Sequence, residues 1–208
     1  MRFIKKIRNY CRAIVIAHRA TESFVNQKQI SDLEPLYKQY SAESLGLLNS
    51  STLDIGCGDK PRNPFNAINS YGIDIREDIP KNIKYADLAI EPIPFGDGMF
   101  DYITAYDFLE HIPRVLYLPE RRAPFIEVMN EIFRTLKPGG IFFSKTPAYP
   151  ISAAFSDPTH VNIITADTFP LYFDDTNTWG KIYGFKGAFK VKFQAVMGPH
   201  LITVLQKP

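Results

Sequence analysis

Apolar side chains recur at helical intervals through the first part of the chain. Phe3, Ile7, Cys11 and Ile14 are separated by three or four positions, and lysines and arginines occupy many of the positions between them. Since this spacing places apolar residues on one face of a helix, it predicts a basic amphipathic helix at the N-terminus.

A second helix is predicted over residues 36–48. Ser31 and Glu34 have the spacing of a capping box, in which each side chain accepts a hydrogen bond from the other residue's backbone N–H. The pattern then changes, so we divide the chain into an N-terminal helical appendage, residues 1–48, and a main domain, residues 49–208.

The main domain opens with short β-branched or aliphatic runs, separated by spans long enough for four helices. This alternation predicts an α/β fold, a Rossmann-like doubly wound sheet that is mostly parallel, with helices on both faces. The five predicted strands are Thr52–Ile55, Tyr71–Ile75, Lys84–Ala86, Tyr102–Ala105 and Ile141–Lys145.

Beyond Gly184 the pattern switches to period two. Phe189, Val191 and Phe193 alternate with two lysines, which we expect to face solvent and to protect a sheet edge. Together with residues 200–205, this segment predicts an antiparallel hairpin that closes the sheet.

Composition narrows the class of protein. The chain has 208 residues, 45% of them apolar, with 24 basic and 22 acidic side chains. Such a chain buries a substantial core, which argues against disorder, and no apolar run approaches the roughly 20 residues that span a bilayer. Residues 1–20 contain six basic residues and no acid, so the remainder carries 18 basic and 22 acidic residues.

The two cysteines, Cys11 and Cys57, form neither a disulfide framework nor a zinc cluster by their spacing. The longest apolar stretch near the start, residues 13–17, is shorter than the apolar region of a typical signal peptide. We therefore expect a cytoplasmic protein in a reducing compartment.

Glycines and acids lie where the predicted strands end. Gly56 and Gly58 follow the first strand, Asp74 ends the second, and Asp87 ends the third. Open α/β sheets bind ligands at this edge, and glycines let a ligand approach the main chain. Asp74 is suited to accept hydrogen bonds from both ribose hydroxyls, and Asp87 from the amine of adenine.

The loop after the first strand does not match a dinucleotide site. It continues as Asp59-Lys60-Pro61-Arg62, which lacks the third glycine and puts an acid where phosphate would bind. Asp54, just before the loop, suits a cationic amino group. These features favour a nucleoside ligand that carries an amine and a positive sulfur.

Six segments in this order resemble the motif set of class I S-adenosylmethionine-dependent methyltransferases. They are Leu53–Asp59, Gly72–Asp74, Ala86–Leu88, Phe100–Ile103, Leu109–Ile112 and Leu136–Gly140. The resemblance implies a seven-stranded sheet whose last strand inserts antiparallel, and S-adenosyl-L-methionine as cofactor. The cofactor-binding residues that it implies are Asp54, Gly56, Cys57, Gly58, Asp74, Ile75, Asp87, Leu88 and Tyr106.

A catalytic base is predicted after the fifth strand, in a substrate-covering segment at residues 147–180. There His160 is placed to take a proton from an acceptor hydroxyl, with Asp157 orienting it or stabilising its charge. An Asp-Pro turn with an exposed histidine explains the same residues equally well. The run Asp157–His160 also resembles one in small methyltransferases of sugar or polysaccharide biosynthesis.

His111 and Tyr149 are assigned to the acceptor site. The aromatic residues between 155 and 179 fit either an acceptor pocket or the core of the loop itself. Asp174 and Asp175, with Asp157 and His160, do not have the pattern of a metal site, so none is predicted.

Methyl transfer to a hydroxyl of a sugar, glycan or other small molecule is the leading hypothesis. The alternatives are a non-catalytic cofactor-binding or partner subunit, and an RNA methyltransferase. Nucleic acid is disfavoured because the body of the chain is acidic. The basic N-terminal helix suits an anionic membrane surface or a partner protein.

Overall fold

The computed structural model describes residues 2–76 and 82–208, with side chains from Lys6 onward. Its strands are β1 (Lys28–Gln29), β2 (Ser51–Ile55), β3 (Asn69–Asp74), β4 (Ile83–Tyr85), β5 (Phe100–Tyr106), β6 (Leu136–Pro147), β7 (Lys190–Met197) and β8 (His200–Gln206). Its α-helices are α1 (Arg2–Val25), α2 (Glu34–Gln39), α3 (Pro124–Thr135), α4 (Ala153–Ser156) and α5 (Thr168–Tyr172).

All eight strands form one sheet in the order β1-β7-β8-β6-β5-β2-β3-β4. Strand β8 inserts between β6 and β7 and is antiparallel to both, whereas the other neighbours are parallel. The predicted Rossmann-like α/β class and the antiparallel hairpin are therefore confirmed. The sheet has one strand more than expected, because the two-residue β1 pairs with β7.

All five predicted strands of the main domain are present, with ends that differ by at most five residues. The predicted exposure of Lys190 and Lys192 is also correct. Strand β7 is not the outermost strand along its whole length, however, since β1 covers it at Ala195 and Val196.

Two of the four predicted helical spans are wrong. Residues 56–68 and 86–99 form turns and extended chain, and α3 is the α-helix that precedes β6. Prolines interrupt both spans, and a proline within a helix removes a backbone hydrogen bond. Asn63 closes the first turn by bonding both the N–H and the C=O of Ala67. The span before β4 falls partly on residues 77–81, outside the described residues.

The second predicted helix is shorter than expected, and its predicted capping box is wrong. Helix α2 ends at Gln39 rather than near Leu48. The N-cap residue is Leu33, which makes no capping hydrogen bond, and the N–H of Glu34 donates to Asp32 Oδ1 at 3.0 Å rather than to Ser31. Pro35 lies in the first turn of the helix. Backbone N–H groups have no partner within the helix in that turn, so the missing N–H of proline breaks no helical hydrogen bond.

Apolar side chains pack on both faces of the sheet. One face is covered by α3 and by an aromatic block that includes Phe169, Phe173 and Phe189. The other is covered by α2 and by Phe65, which stacks on Tyr102. Residues before position 48 thus share a core with the sheet, and the proposed division of the chain at that position stays a prediction.

Helix α1 leaves its apolar stripe uncovered. From Lys6 to Ala20 its side chains are all exposed, including Ile7, Ile14 and Val15, and Phe24 is the residue near its end that enters the core. Within the described residues, none of the helices is long and apolar enough to cross a bilayer.

Candidate functional site

The loop after β2 turns tightly at two glycines. Gly56 and Gly58 have φ values of +68° and +65°, in the left-handed region that side chains disfavour. A Cβ on Gly56 would lie 2.3 Å from Phe108 Cδ2, so this glycine is required by packing. A Cβ on Gly58 would meet nothing closer than Arg76 Nη2 at 3.9 Å, which leaves open space above that residue.

Asp74 lies beside this loop at the end of β3. Its Oδ2 accepts a hydrogen bond from the N–H of Gly58 at 2.8 Å, and its Oδ1 accepts longer ones from the backbone N–H and Nε of Arg76 at 3.3 and 3.4 Å. Its side chain stays 12% exposed. Each carboxylate oxygen has two lone pairs, so capacity for further hydrogen bonds remains. Ile75 is 68% exposed directly after it, which offers an apolar surface next to the carboxylate.

Asp54 is fully buried in β2, two residues before Gly56. Its Oδ1 accepts from Thr104 Oγ1 at 2.7 Å, and its Oδ2 accepts from the N–H of Arg62 at 2.8 Å. Burial raises the pKa of Asp54 to about 6, although these hydrogen bonds and the Arg62 guanidinium act in the opposite direction. Both oxygens thus already have partners within the protein, and the predicted contact with a cationic amine stays a prediction.

Cys57 points its thiol into the protein rather than to the open side of the loop. A Cβ on Gly72 would lie 2.5 Å from Cys57 Sγ, so the sulfur packs against the backbone of β3. Burial, with Asp54 and Asp74 nearby, raises the pKa of this thiol to about 12, which makes it a poor nucleophile.

The predicted adenine-side residues follow β4. Asp87 is half-buried, and its Oδ1 accepts from the N–H of Ala89 at 3.0 Å. Its own N–H donates to Glu91 Oε2 at 2.8 Å, and Leu88 enters the main core. The Asp87 carboxylate therefore holds a turn, and one of its oxygens has no such bond among the described residues.

Tyr106 ends β5 and forms a group that the sequence did not predict. Its hydroxyl lies 2.9 Å from that of Tyr37, and the Arg62 guanidinium lies 4.7 Å from its ring centre. Burial and this hydrogen bond raise the pKa of Tyr106, which keeps the phenol protonated. These three residues line a cavity of about 530 Å³ together with Asp107 and Lys145.

Two histidines meet where β5 and β6 end. The rings of His111 and His160 lie edge to face with their centres 4.8 Å apart, although 49 positions separate them in the chain. The buried carboxylate of Glu110 is adjacent, and one ligand atom of each residue lies within 4.8 Å of the others. Glu110 belongs to the motif segment Leu109–Ile112, but nothing in the local sequence predicts that it lies close to His160.

Asp157 hydrogen-bonds a different residue from the one expected. Its Oδ1 accepts hydrogen bonds from the N–H and Oγ1 of Thr159, at 2.8 and 2.6 Å. The partner of His160 Nδ1 is instead the carbonyl of Ala153, at 3.1 Å. Direct orientation of His160 by Asp157 is therefore wrong for this structure, and the aspartate acts on His111 through Thr159.

The remaining acceptor-site candidates lie in the segment after β6. Tyr149 is half-buried, and its ring packs edge to face against that of Phe155. Phe169 and Phe173 are fully buried in the core, so those aromatics form the core of the loop. Asp174 bonds Thr176 and the N–H of Val191, as expected of a structural turn.

The strand-end residues fit a nucleoside ligand. Open space lies above Gly58, a partly exposed carboxylate lies beside it, and an apolar side chain follows. Such a loop at the carboxyl ends of β2, β3 and β5, in a sheet closed by an antiparallel hairpin, defines the class I methyltransferase fold. S-adenosyl-L-methionine is the cofactor that this class implies.

The chain belongs to the methyltransferase domain family, whose profile matches residues 26–178. A ubiquinone biosynthesis O-methyltransferase of Pseudomonas fluorescens is 27% identical over an alignment of 157 residues that covers 68% of this chain and 63% of that protein. The chain thus spans less than two thirds of this curated relative.

Solved structures share the fold at low identity. The [4+2]-cyclase SpnF is 16% identical with a TM-score of 0.54, covering 85% of this chain and 80% of its own. The N-methyltransferase NodS from Bradyrhizobium japonicum, in complex with S-adenosyl-L-homocysteine, is 15% identical with a TM-score of 0.51 over 84% and 85%. Since one neighbour is a cyclase, the fold alone does not specify the reaction.

Proposed function

We propose that this protein transfers a methyl group from S-adenosyl-L-methionine to a hydroxyl oxygen of an acceptor. The observation that carries this proposal is the pairing of His111 and His160 beside buried Glu110 at the strand ends. Phe108 lies two residues before Glu110, and its ring packs against Gly56 in the loop after β2. It therefore connects this cluster to the loop where we place the cofactor. The bound cofactor supplies a methyl group on a positively charged sulfur.

Proton removal explains why such a cluster favours oxygen. A hydroxyl must lose its proton as the bond to carbon forms, and a positioned base adds roughly 10²- to 10⁴-fold to the rate. His160 is our predicted base, and its Nε2 is available because Nδ1 is held by the carbonyl of Ala153. The protein's other task is to hold the acceptor oxygen close and in line.

The acceptor that we propose first is a sugar or glycan hydroxyl. It is supported by the Asp-Pro-Thr-His run, in which Thr159 hydrogen-bonds with His111 and the ring of His160 packs against that of His111. A phenol or other apolar alcohol is the second candidate. It is favoured by a cavity of about 390 Å³ between α3 and α5, lined by Phe125, Tyr172 and Tyr183 among others.

Turnover with a labelled methyl donor tests the proposal. Purified protein is incubated with sugars, oligosaccharides and phenols, and labelled products are separated by mass. We expect transfer to one of these classes, and we expect His160→Ala to lose at least 10²-fold in rate while still binding S-adenosylhomocysteine. His18→Ala, in exposed α1, is the matched control and should keep full activity. Unaltered turnover by His160→Ala would remove that residue from the mechanism.

We also propose that α1 docks on an anionic membrane surface. Its exposed apolar stripe includes Ile7 and Ile14, and Lys6, Arg8, Arg12 and Arg19 flank it without any acid before Glu22. A helix of this kind lies in the membrane interface, where lysine and arginine attract anionic lipids. This contact would bring the site to a lipid-linked acceptor.

A further inference from the structure

We infer that Glu110, His111 and His160 bind a divalent transition-metal ion of the zinc type. Metal binding rests on these side chains alone, whereas the role of the ion rests on the proposed function. One ligand atom of each residue lies within 4.8 Å of the others, so small side-chain movements would bring all three to one ion. Two imidazoles and one carboxylate form a ligand set that zinc and similar ions prefer.

Hydrogen bonds fix His160 with a free lone pair on Nε2. Its Nδ1 lies 3.1 Å from the carbonyl oxygen of Ala153, which can only accept. In the neutral imidazole, Nδ1 therefore carries the proton and Nε2 carries the lone pair. Histidines that bind metals commonly have this arrangement, with the second nitrogen donating to a carbonyl.

The same reasoning applies to His111. Thr159 Oγ1 lies 2.6 Å from Asp157 Oδ1, and an ionised carboxylate can only accept, so the hydroxyl hydrogen points to Asp157. The hydroxyl must then accept from His111 Nδ1 at 3.0 Å, so in the neutral imidazole the lone pair of His111 is on Nε2. Asp157 is thus a positioning residue that acts through Thr159.

Glu110 supplies an unused acceptor. The residue is only 1% exposed, and its Oε2 accepts from Thr146 Oγ1 at 2.6 Å. Its Oε1 is buried without a hydrogen-bond partner among the described residues. Burying an unpaired carboxylate oxygen costs free energy, and a cation at this position would offset that cost.

The segments that carry these ligands are held together by backbone bonds. The carbonyl of Glu110 accepts from the N–H groups of Val161 and Asn162, both at 2.9 Å. The Asn162 side chain also donates to the carbonyl of Leu109 at 3.0 Å. The cluster is therefore largely preformed, which favours binding of an ion.

Three protein ligands leave a coordination position open for an acceptor hydroxyl. Coordination lowers the pKa of that hydroxyl, and its proton passes to water. The oxygen then forms a bond to the methyl carbon as the carbon–sulfur bond breaks, which yields an ether and the neutral thioether. His160 would then serve as a metal ligand instead of a free base.

The test uses full-length, tag-free protein stripped with a chelator and then titrated with Co²⁺ by absorbance and with Zn²⁺ by calorimetry. We expect one ion per chain, with affinity at least hundredfold weaker in His111→Ala, His160→Ala and Glu110→Gln. His18→Ala should bind as wild type, and Asp157→Asn should lose about 10- to 100-fold. Thermal unfolding of each metal-free variant checks that it is folded.

Affinities in the cluster variants equal to that of His18→Ala would overturn the inference. Methyl transfer, with and without chelator, is measured separately. Metal binding without any methyl transfer contradicts the proposed function but still supports the metal site. Transfer that persists after complete metal removal refutes the metal's role and supports His160 as a free base.

Discussion

Alanine substitution of Gly58 tests where the cofactor binds. Gly58 has a φ of +65°, and a Cβ built on it lies 3.9 Å or more from other atoms of the protein. The substitution therefore introduces backbone strain without a collision. Strain of this kind costs roughly 1–2 kcal/mol in an alanine, which lowers the free energy of unfolding by that amount.

A matched control exists at Gly46. It has a φ of +67°, and its Cβ would meet nothing within 4 Å. Gly46→Ala and Gly58→Ala should thus lose similar stability in urea unfolding. Gly56→Ala should lose a further 1–3 kcal/mol or so, because its Cβ would lie 2.3 Å from Phe108 Cδ2.

Cofactor affinity then separates the two matched variants. If the open space above Gly58 holds the ligand, a methyl group there costs about 1–3 kcal/mol, or roughly 5- to 150-fold in Kd. Calorimetry with S-adenosylhomocysteine should show this loss for Gly58→Ala and none for Gly46→Ala. Equal affinities in wild type and Gly58→Ala would refute the placement of the cofactor over this loop.

Three further predictions concern pH, packing and the N-terminal helix. The pKa of Asp54 is raised to about 6 from 3.8, so the folded protein binds more protons than the unfolded chain between these values. Its free energy of unfolding should fall as pH rises from about 4 to about 6, and Asp54→Asn should flatten this slope in urea titrations; an unchanged slope contradicts the assignment. Phe65→Ala should cost about 3–5 kcal/mol, because its ring is fully buried against Tyr102, whereas exposed Tyr85→Ala should cost little. Deleting residues 1–20 should abolish cosedimentation with phosphatidylglycerol vesicles and preserve S-adenosylhomocysteine binding, with phosphatidylcholine vesicles as the control. Equal sedimentation of the truncated protein would disprove docking through α1.

The strands could be predicted because their signals are local. Runs such as Thr52–Ile55 and Tyr102–Ala105 are rich in β-branched and aliphatic residues and end within two positions of a glycine or an aspartate, whatever lies elsewhere in the chain. The helices were harder to predict. In the span 56–68, prolines and the Asn63 side chain fold a turn, and Phe65 fills the space against the sheet that a helix would cover. Strand β1 has two exposed polar residues, and its pairing with β7 is not local.

The cofactor residues follow the same rule. Gly58 and Asp74 lie on neighbouring strand ends, so their contact could be expected from the topology. The meeting of Glu110 and His111 with His160 could not, because it depends on how the loop after β6 folds back onto the carbonyl of Glu110. The partners of His160 and Asp157 likewise depend on that loop and differ from those expected.

Identifying the atom that receives the methyl group is the most direct test of the proposed methyl transfer to oxygen. The protein is supplied with S-adenosylmethionine carrying an isotopically labelled methyl group and with the sugar and phenol acceptors, and the product is characterised by NMR. We expect a labelled methyl ether whose formation depends on His160. A methyl group recovered on nitrogen or carbon, or ether formation at the wild-type rate by His160→Ala, would contradict it.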